Sequence, residues 1–279
     1  MKDDNKIIHG LWIGKDLSPV ELLCISSFIA NGHEFHLWAY DNIETELPAG
    51  VILEKASDII PKERVFCYRH FNQFGHGKGS YAGFSDIFRY KLLYEKGGWW
   101  VDMDVTCLKP FNFNEPYVFR VHQVLPVVGN IMKCPAGSEL MKLCYDQAIK
   151  QIDENNTDWH KPIQILNDNI KKLGLNDYIK YLSNQDKWSV VRKFLVMDKR
   201  IPVDWYAIHW INEEWRRNKL NKNRLYKNSA LGNLYEKYIG INNDVIVPAS
   251  FIEKLKLTYF GCVFIQVKTR FEKLFQTDG

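Results

Sequence analysis

The amino-acid sequence predicts an α/β protein in which helices pack on the faces of a parallel β-sheet. Residues 6–40 read as strand, helix and strand, an order that is typical of parallel sheets covered by helices. A second unit of this kind follows, because a helix predicted over residues 85–96 ends at Gly97-Gly98 and precedes a short apolar strand at 99–101. These two units together indicate the fold class.

The first part of the chain shows its elements most clearly. The apolar run over residues 6–14 ends at a glycine and predicts a buried strand. Residues 19–32 begin with proline and end in Asn-Gly, the pattern of a helix. A second strand is expected over residues 34–40, whereas residues 41–62 show no clear pattern. The glycine-rich, polar stretch at 75–80 predicts a mobile loop.

The second half of the chain is harder to interpret. Its predicted elements are strands at 117–121 and 129–133 and helices at about 137–152 and 162–173. Residues 188–215 are rich in aromatic side chains, and a basic tract occupies residues 216–227. No repeat, low-complexity stretch or linker is visible, so we expect a single domain.

Composition and charge limit the classes of function that the chain can have. Hydrophobic residues make up 46% and charged residues 25% of the chain, which excludes disordered and fibrous proteins. Lysine and arginine exceed aspartate and glutamate by only 37 to 33, so we expect no nucleic-acid partner. A mildly basic chain suits a phosphorylated small molecule or an anionic membrane surface.

Cysteine usage and hydropathy predict the compartment. The six cysteines are scattered and form no C-x-x-C pair, which is typical of reduced thiols. The first ten residues contain no apolar signal segment. The longest apolar stretch, residues 259–267, is too short to span a bilayer. We therefore expect a cytoplasmic protein.

Two aspartates stand at the predicted end of a strand. Asp102 and Asp104 follow the apolar triplet at 99–101, and in an extended segment they point to the same side. Ligands of open α/β sheets bind outside the carboxyl ends of the strands. Two carboxylates this close repel each other unless a cation compensates them. Mg²⁺ or Mn²⁺, held partly by carboxylates and partly by phosphate oxygens, is the usual solution.

Asp86 and Arg89 lie on one face of the helix that precedes this strand. The spacing alone favours a helix ion pair of small energetic value. The alternative places the pair beside the two aspartates, where Asp86 would accept hydrogen bonds from sugar hydroxyls.

A D-x-D-x-T sequence over residues 102–106 allows a rival interpretation. It matches the signature of phosphatases whose first aspartate, here Asp102, is a nucleophile. Such enzymes also need an acidic metal-binding pair after a later strand, and no convincing pair follows in this sequence. The phosphatase hypothesis is therefore the weaker one.

Three separated motifs are similar to those of one enzyme group. S-D-I-F-R-Y and G-G-W-W-V-D-M-D, within residues 85–104, resemble an S-D-x-x-R…G-G-x-Y-x-D-x-D block. I-H-G-L-W-I-G at 8–14 resembles an I-H-x-x-W-x-G strand, and Y-A-I-H-W at 206–210, followed by Trp215, resembles a Y-x-I-H-x-x…W segment. These motifs belong to DXD-type sugar transferases, glycosyltransferase family 32 and its relatives, which include capsule enzymes and the catalytic domains of clostridial glucosylating toxins. Trp100 replaces the commoner tyrosine.

The resemblance implies a fold and its division along the chain. The fold would be GT-A, a Rossmann-like and mostly parallel sheet flanked by helices, with additional helices in the C-terminal half. One domain would span residues 1–279. Its nucleotide-sugar-binding core would occupy about 6–135, and acceptor-side and closing elements about 136–279, including a closing loop near 205–215.

The resemblance also implies a site. The implied catalytic residues are Asp86, Arg89, Asp102 and Asp104. The implied donor-binding residues are Trp12, Ile13, Asp86, Arg89, Trp100, Asp102, Asn130 and His209, and the implied metal ligands are Asp102, Asp104 and His209. Trp12 would stack on the nucleotide base or serve as a core tryptophan, and Asn130 would face the donor sugar or form a turn.

The implied reaction is the transfer of a hexose from a nucleoside-diphosphate sugar, UDP in preference to GDP, to a hydroxyl of a glycan or lipid-linked oligosaccharide. Mn²⁺ or Mg²⁺ would be the cofactor, and the anomeric configuration would be retained, by front-face attack or by double displacement. The setting would be bacterial capsule or lipopolysaccharide synthesis.

Other hypotheses remain open at this point. The basic tract at 216–227 is either a solvated face or a contact with anionic lipid headgroups at the inner face of the membrane. A toxin-like effector would glycosylate a protein instead of a glycan. A non-catalytic sugar-binding module would explain the aromatic residues, but it would not need Asp86, Arg89 and both D-x-D aspartates together.

Overall fold

The computed structural model describes residues 5–260, with side chains through residue 258. Its strands are β1 (Ile7–Trp12), β2 (Glu34–Ala39), β3 (Ile52–Lys55), β4 (Gly98–Val101), β5 (Val105–Cys107), β6 (Val118–Val121), β7 (Val127–Cys134), β8 (Ile179–Lys180), β9 (Ala207–His209), β10 (Leu225–Tyr226) and β11 (Ile246–Val247). Its helices are α1 (Pro19–Ala30), α2 (Ala82–Lys96), α3 (Glu139–Gln151), α4 (Lys161–Lys172), α5 (Trp188–Phe194), α6 (Asn212–Arg217), α7 (Ala230–Tyr238) and α8 (Phe251–Leu255). Short 3₁₀ turns occupy Ala56–Asp58, Lys62–Arg64 and Asn176–Tyr178, and a π-helical turn occupies Lys256–Phe260.

The central sheet has seven strands in the order β3-β2-β1-β4-β7-β6-β8. The neighbours from β3 to β4 are parallel, β7 runs antiparallel to both β4 and β6, and β8 is parallel to β6. The predicted α/β class with a mostly parallel sheet is therefore confirmed. Because β1 and β4 are adjacent and parallel, the residues that follow them meet at one edge of the sheet.

Helices cover both faces of this sheet, and neighbouring tryptophans of β4 show the alternation. Trp100 is buried in a core cluster with residues of α2, α3 and α4. Trp99 is buried in a second cluster with residues of α1. A third cluster joins α1 to the C-terminal elements, through side chains such as Leu23, Trp210 and Leu231. The C-terminal half thus contains the additional helices that the sequence predicted.

Local signals explain where the first two helices begin or end. In α1, the Ser18 hydroxyl accepts a hydrogen bond from the N–H of Val20, and the Glu21 carboxylate accepts one from the N–H of Ser18 at 2.9 Å. Helix α2 ends at Gly97, whose φ of +68° favours glycine. A Cβ atom at this position would also lie 2.5 Å from the Ala136 nitrogen. This turn directs the chain into β4.

Three regions differ from the sequence predictions. Helix α2 begins at Ala82, three residues before the predicted start at 85. Residues 41–62, which showed no pattern, contain β3, an edge strand whose side chains are mostly exposed and therefore lack an alternating burial signal. The aromatic segment at 188–215 contains α5, β9 and most of α6.

Five of the six cysteines lie in the described part of the chain, and all five are free thiols. Cys262 and most of the apolar stretch at 259–267 lie outside the described residues. Within residues 5–260, no helix combines the length and the apolar character that crossing a membrane requires.

Candidate active site

A cleft of about 600 Å³ opens where β1 and β4 end, a volume in the usual range of ligand-binding pockets. The structure brings every candidate residue of the sequence analysis to this cleft. These residues are Trp12, Ile13, Asp86, Arg89, Trp100, Asp102, Asp104, Asn130 and His209. Trp12 is the last residue of β1, and its indole nitrogen is buried with no hydrogen-bond partner among the described residues.

Asp102, Asp104 and His209 form a group that could hold a metal ion. Each offers one ligand atom, and these atoms all lie within 4.8 Å of one another. Two carboxylate oxygens and one imidazole nitrogen are a donor set that suits Mn²⁺ or Mg²⁺ together with phosphate oxygens. The chemistry of the group therefore fits the ion that the resemblance implied.

The pairing of two short strands brings this group together. β5 directly follows the D-x-D segment and pairs antiparallel with β9, so that Val105 lies opposite His209. The backbone of Asp104 adds a contact, because its carbonyl accepts a hydrogen bond from the N–H of Trp210 at 2.9 Å. The Asp104 carboxylate accepts another from the N–H of Asn212 at 2.6 Å.

Arg89 joins the helix residues to the aspartates. Its guanidinium lies 2.9 Å from Asp102 Oδ1 and 3.2 Å from Asp86 Oδ1, and it lies over the ring of Trp100. The indole N–H of Trp100 donates to the same Asp102 oxygen at 2.8 Å. Asp86 and Arg89 thus form an ion pair and also line the cleft, whereas hydrogen bonding of Asp86 to sugar hydroxyls stays a prediction.

Gly129 of β7 allows Arg89 to approach the strand closely. A Cβ atom at this position would lie 2.4 Å from Arg89 Nη1, closer than any real side chain tolerates. A side chain at this position would therefore force the guanidinium, which Asp86 and Asp102 hold, to shift.

Burial changes the acidity of Asp86. Its side chain is 13% exposed, and burial raises the pKa of this carboxyl to about 6, although the nearby Arg89 acts in the opposite direction. Asp86 is therefore ionised at neutral pH and protonated in mildly acidic solution.

His209 lies between two carboxylates. Its Nε2 is 3.2 Å from Asp104 Oδ2, and its Nδ1 is 2.6 Å from Asp186 Oδ1. Burial alone would lower the pKa of His209, but Asp104 and Asp186 outweigh it and raise the pKa to about 10. Because an ionised carboxylate can only accept a hydrogen bond, Nδ1 carries a proton in the contact with Asp186.

Asp186 is a site residue that sequence reasoning missed. Arg120, which is fully buried, donates to both of its carboxylate oxygens, at 2.6 and 3.0 Å. Burial would raise the pKa of Asp186, but Arg120 and His209 hold it well below its usual range. Asn130 joins the network through its amide oxygen, which accepts a hydrogen bond from Arg120 Nη1 at 3.1 Å, and its amide nitrogen lies 3.5 Å from Asp186 Oδ2. No local pattern in the sequence marks Asp186 or Arg120.

The basic tract at 216–227 is more than a solvated face. Three of its side chains, Arg216, Arg217 and Lys222, line the cleft. Lys222 lies 2.5 Å from the buried carboxylate of Glu21. The Arg216 guanidinium is 2.8 Å from Glu213. Arg216 and Arg217 nevertheless remain exposed, so the tract is a solvated face that also borders the cleft, and its contact with lipid headgroups stays a prediction.

The match to one protein family agrees with this geometry. Residues 48–119 match the family described as the glycosyltransferase sugar-binding region containing a DXD motif. The matched segment runs from β3 into β6 and includes Asp86, Arg89 and both D-x-D aspartates. The predicted class, a DXD-motif glycosyltransferase, is confirmed, and with it the prediction of an enzyme.

Similar solved structures are distant in sequence. A transferase mutant is 11% identical, with a TM-score of 0.40, over 63% of this chain and 87% of that one. PaToxG glycosyltransferase is 13% identical, with a TM-score of 0.37, over 61% and 75%. The bifunctional glycosyltransferase WbbM is 10% identical, with a TM-score of 0.45, over 85% of this chain but only 50% of WbbM. No curated protein matches the sequence.

Proposed function

We propose that this chain is a metal-dependent, retaining hexosyltransferase that uses a nucleoside-diphosphate sugar, UDP in preference to GDP. The observation that carries the proposal is the meeting of two groups in one cleft. Asp102, Asp104 and His209 offer a metal-binding donor set. The ion-paired Asp86 and Arg89 offer an acceptor and a donor of hydrogen bonds to a sugar within the same cleft.

The donor would lie along the ends of the parallel strands. Trp12 ends β1 and Ile13 follows it, and both would contact the base. Trp100, whose ring lies against Arg89, lines the same cleft. The ionised Asp86 would accept hydrogen bonds from hydroxyls of the hexose, and Asn130 would face the same sugar. Asp102, whose side chain is 30% exposed, would contact ribose or sugar oxygens as well as the metal.

A Mn²⁺ or Mg²⁺ ion held by Asp102, Asp104 and His209 would stabilise the negative charge that develops on the leaving diphosphate. Arg89 adds a fixed positive charge, because its guanidinium does not lose its proton at any physiological pH. Asp86 and Asp102 hold this guanidinium in one orientation. The charge-stabilising groups are thus positioned before the donor binds.

Front-face substitution is the mechanism that these contacts favour. The bond from the anomeric carbon to the diphosphate oxygen breaks, the acceptor oxygen bonds to the same carbon from the same face, and its proton passes to the departing diphosphate. Double displacement would need a carboxylate directed at the opposite face of the sugar. Asp86 and Asp102 are both engaged by Arg89, and Asp186 is engaged by Arg120.

The segment at 205–215 would limit hydrolysis of the donor. It contains β9 and the start of α6, and its Trp210 and Asn212 amides both donate to Asp104. Covering the cleft from this side would exclude water during transfer.

The acceptor would be a hydroxyl of a glycan or lipid-linked oligosaccharide in bacterial capsule or lipopolysaccharide synthesis. This part of the proposal rests on the motif resemblance. The basic residues of the tract at 216–227 that do not line the cleft would support peripheral contact with anionic lipid at the cytoplasmic face of the membrane.

The test is release of nucleoside diphosphate from a panel of UDP- and GDP-sugars, with Mn²⁺, with Mg²⁺ and with a chelator. We expect one donor to be turned over only with metal, and NMR of the product to show retained anomeric configuration. Turnover that persists in chelator, or an inverted product, would contradict the proposal.

A further inference from the structure

The cleft has a second side that the donor and the metal do not explain. Five aromatic side chains form it, and we call them the aromatic wall: Tyr68, Phe74, His76, Trp159 and His160. They come from the loop before α2 and from the segment that enters α4. We propose that this wall is the acceptor subsite and that it binds a neutral saccharide by stacking. The inference rests on the proposed function and names the acceptor class and its position.

The rings of the wall contact one another. Phe74 lies 5.1 Å from His160 and 5.9 Å from His76, centroid to centroid, and His76 lies 5.3 Å from Trp159. Phe74 is nevertheless 52% exposed. A ligand that covers this exposed ring removes apolar surface from water, which contributes favourably to the free energy of binding.

A hexopyranose ring suits such a surface. One face of the ring presents C–H groups, which pack against an aromatic plane, and its edge presents hydroxyls. A polar partner for these hydroxyls lies nearby, because Glu213 is beside the wall with a carboxylate oxygen 3.5 Å from His76 Nδ1.

The wall is held in place before any acceptor arrives. The Gln73 side chain donates to Asp158 and accepts from the N–H of Trp159, both at 2.9 Å, so the loop is fixed to the segment before α4. The N–H of Gly77 donates to Glu213 at 3.1 Å, which fixes the loop to α6 as well. A surface that is ordered in advance binds with a smaller loss of conformational entropy.

The charges beside the wall favour a neutral ligand. Arg216 is paired with Glu213 at 2.8 Å and also donates to the carbonyl of Lys78 at 2.6 Å. Arg217 is paired with Glu214 at 2.7 Å. Since these cations and anions compensate each other, the wall lacks the surplus charge that an acidic lipid headgroup or a charged peptide would require.

The test uses two phenylalanines of one loop. Phe74 belongs to the wall, whereas Phe71 is 61% exposed and does not line the cleft. The variants Phe74→Ala and Phe71→Ala remove the same ring from neighbouring positions. Release of nucleoside diphosphate is measured first without acceptor, as hydrolysis, and then with methyl hexosides and neutral disaccharides as probes.

We expect saccharides to accelerate release above hydrolysis in the unaltered protein. In Phe74→Ala, the acceptor KM should rise about 3- to 10-fold, several-fold more than the donor KM. In Phe71→Ala, both values should stay within twofold of the unaltered protein. Saturation-transfer NMR should show protons of the saccharide near aromatic rings, and this signal should weaken in Phe74→Ala.

Two results would overturn the inference while leaving the proposed function intact. One is hydrolysis of the donor with no acceleration by any of these saccharides. The other is an acceptor KM that changes equally in the two variants. Absence of any metal-dependent donor hydrolysis would instead overturn the proposed function, and the acceptor subsite with it.

Discussion

Asp186→Asn should weaken metal binding although Asp186 is not itself a proposed metal ligand. Its carboxylate accepts the Nδ1 proton of His209 at 2.6 Å and is held by two hydrogen bonds from Arg120. This arrangement orients the imidazole so that Nε2 faces Asp104, 3.2 Å away. A carboxylate behind a histidine ligand fixes its tautomer and raises its basicity.

The expected effect is a loss of about 10- to 100-fold in Mn²⁺ affinity, the usual range when such a supporting carboxylate is replaced. In free energy this is about 1.4 to 2.7 kcal/mol, at 1.36 kcal/mol per factor of ten. Asparagine has the same shape, but it loses the charge and cannot accept both hydrogen bonds from Arg120. The change therefore acts on the orientation and basicity of His209.

Calorimetric titration of nucleotide-free protein with Mn²⁺ measures this affinity without any turnover. Asp86→Asn is the matched control, because it also removes a buried carboxylate of the cleft but one that contacts Arg89 and not His209. We expect this control to lose less Mn²⁺ affinity than Asp186→Asn, because Asp86 reaches the proposed ligand Asp102 only through Arg89, and to lose affinity for the donor sugar. Thermal unfolding establishes that both variants are folded at the titration temperature. Unchanged Mn²⁺ affinity in a folded Asp186→Asn variant would refute the reasoning.

Three further predictions address the same cleft. Asp104→Asn should lower metal-dependent release of nucleoside diphosphate by at least about 100-fold, and full activity in this variant would contradict its role as a metal ligand. Because burial raises the pKa of Asp86 to about 6, its anionic form is lost as pH falls through that value. The donor KM should then rise below about pH 6, and this acid limb should disappear in Asp86→Asn, as initial rates across pH 5–8 would show. Gly129→Ala places a Cβ atom 2.4 Å from Arg89 Nη1, so denaturant unfolding should show a loss of about 1–3 kcal/mol, with a lower kcat/KM; an unaffected variant would mean that the guanidinium can move aside.

The sequence predicted the parts of the site that depend on neighbouring residues. Asp102 and Asp104 follow an apolar strand, and Asp86 and Arg89 share a helix face, so period and spacing reveal them without knowledge of the fold. The motif resemblance added His209, whose position relative to the aspartates no spacing argument could supply. It is 105 residues from Asp104 along the chain and reaches it through the pairing of β5 with β9.

Arg120 and Asp186 could not be predicted, for a physical reason. They lie 66 residues apart. Arg120 stands in a predicted strand whose pattern does not indicate a site, and Asp186 stands in the irregular stretch before α5. Asp186 and the preceding Gln185 adopt left-handed backbone conformations, with φ of +59° and +51°. The surrounding folded structure holds such a turn in place, so the residue types alone do not predict it.

The β5–β9 pair links metal binding to the docking of the C-terminal half. On the side of β5, Thr106 accepts a hydrogen bond from the indole N–H of Trp210 at 2.8 Å, and the carbonyl of Trp210 accepts one from the indole N–H of Trp215 at 2.9 Å. These tryptophans are buried in the third core cluster with α1 and α7. A metal ion bound to both Asp104 and His209 would add a bond between the same two segments. A ligand that binds only the assembled site stabilises that assembly. Binding of the metal and the donor would therefore favour closure by the segment at 205–215, and closure would in turn strengthen their binding.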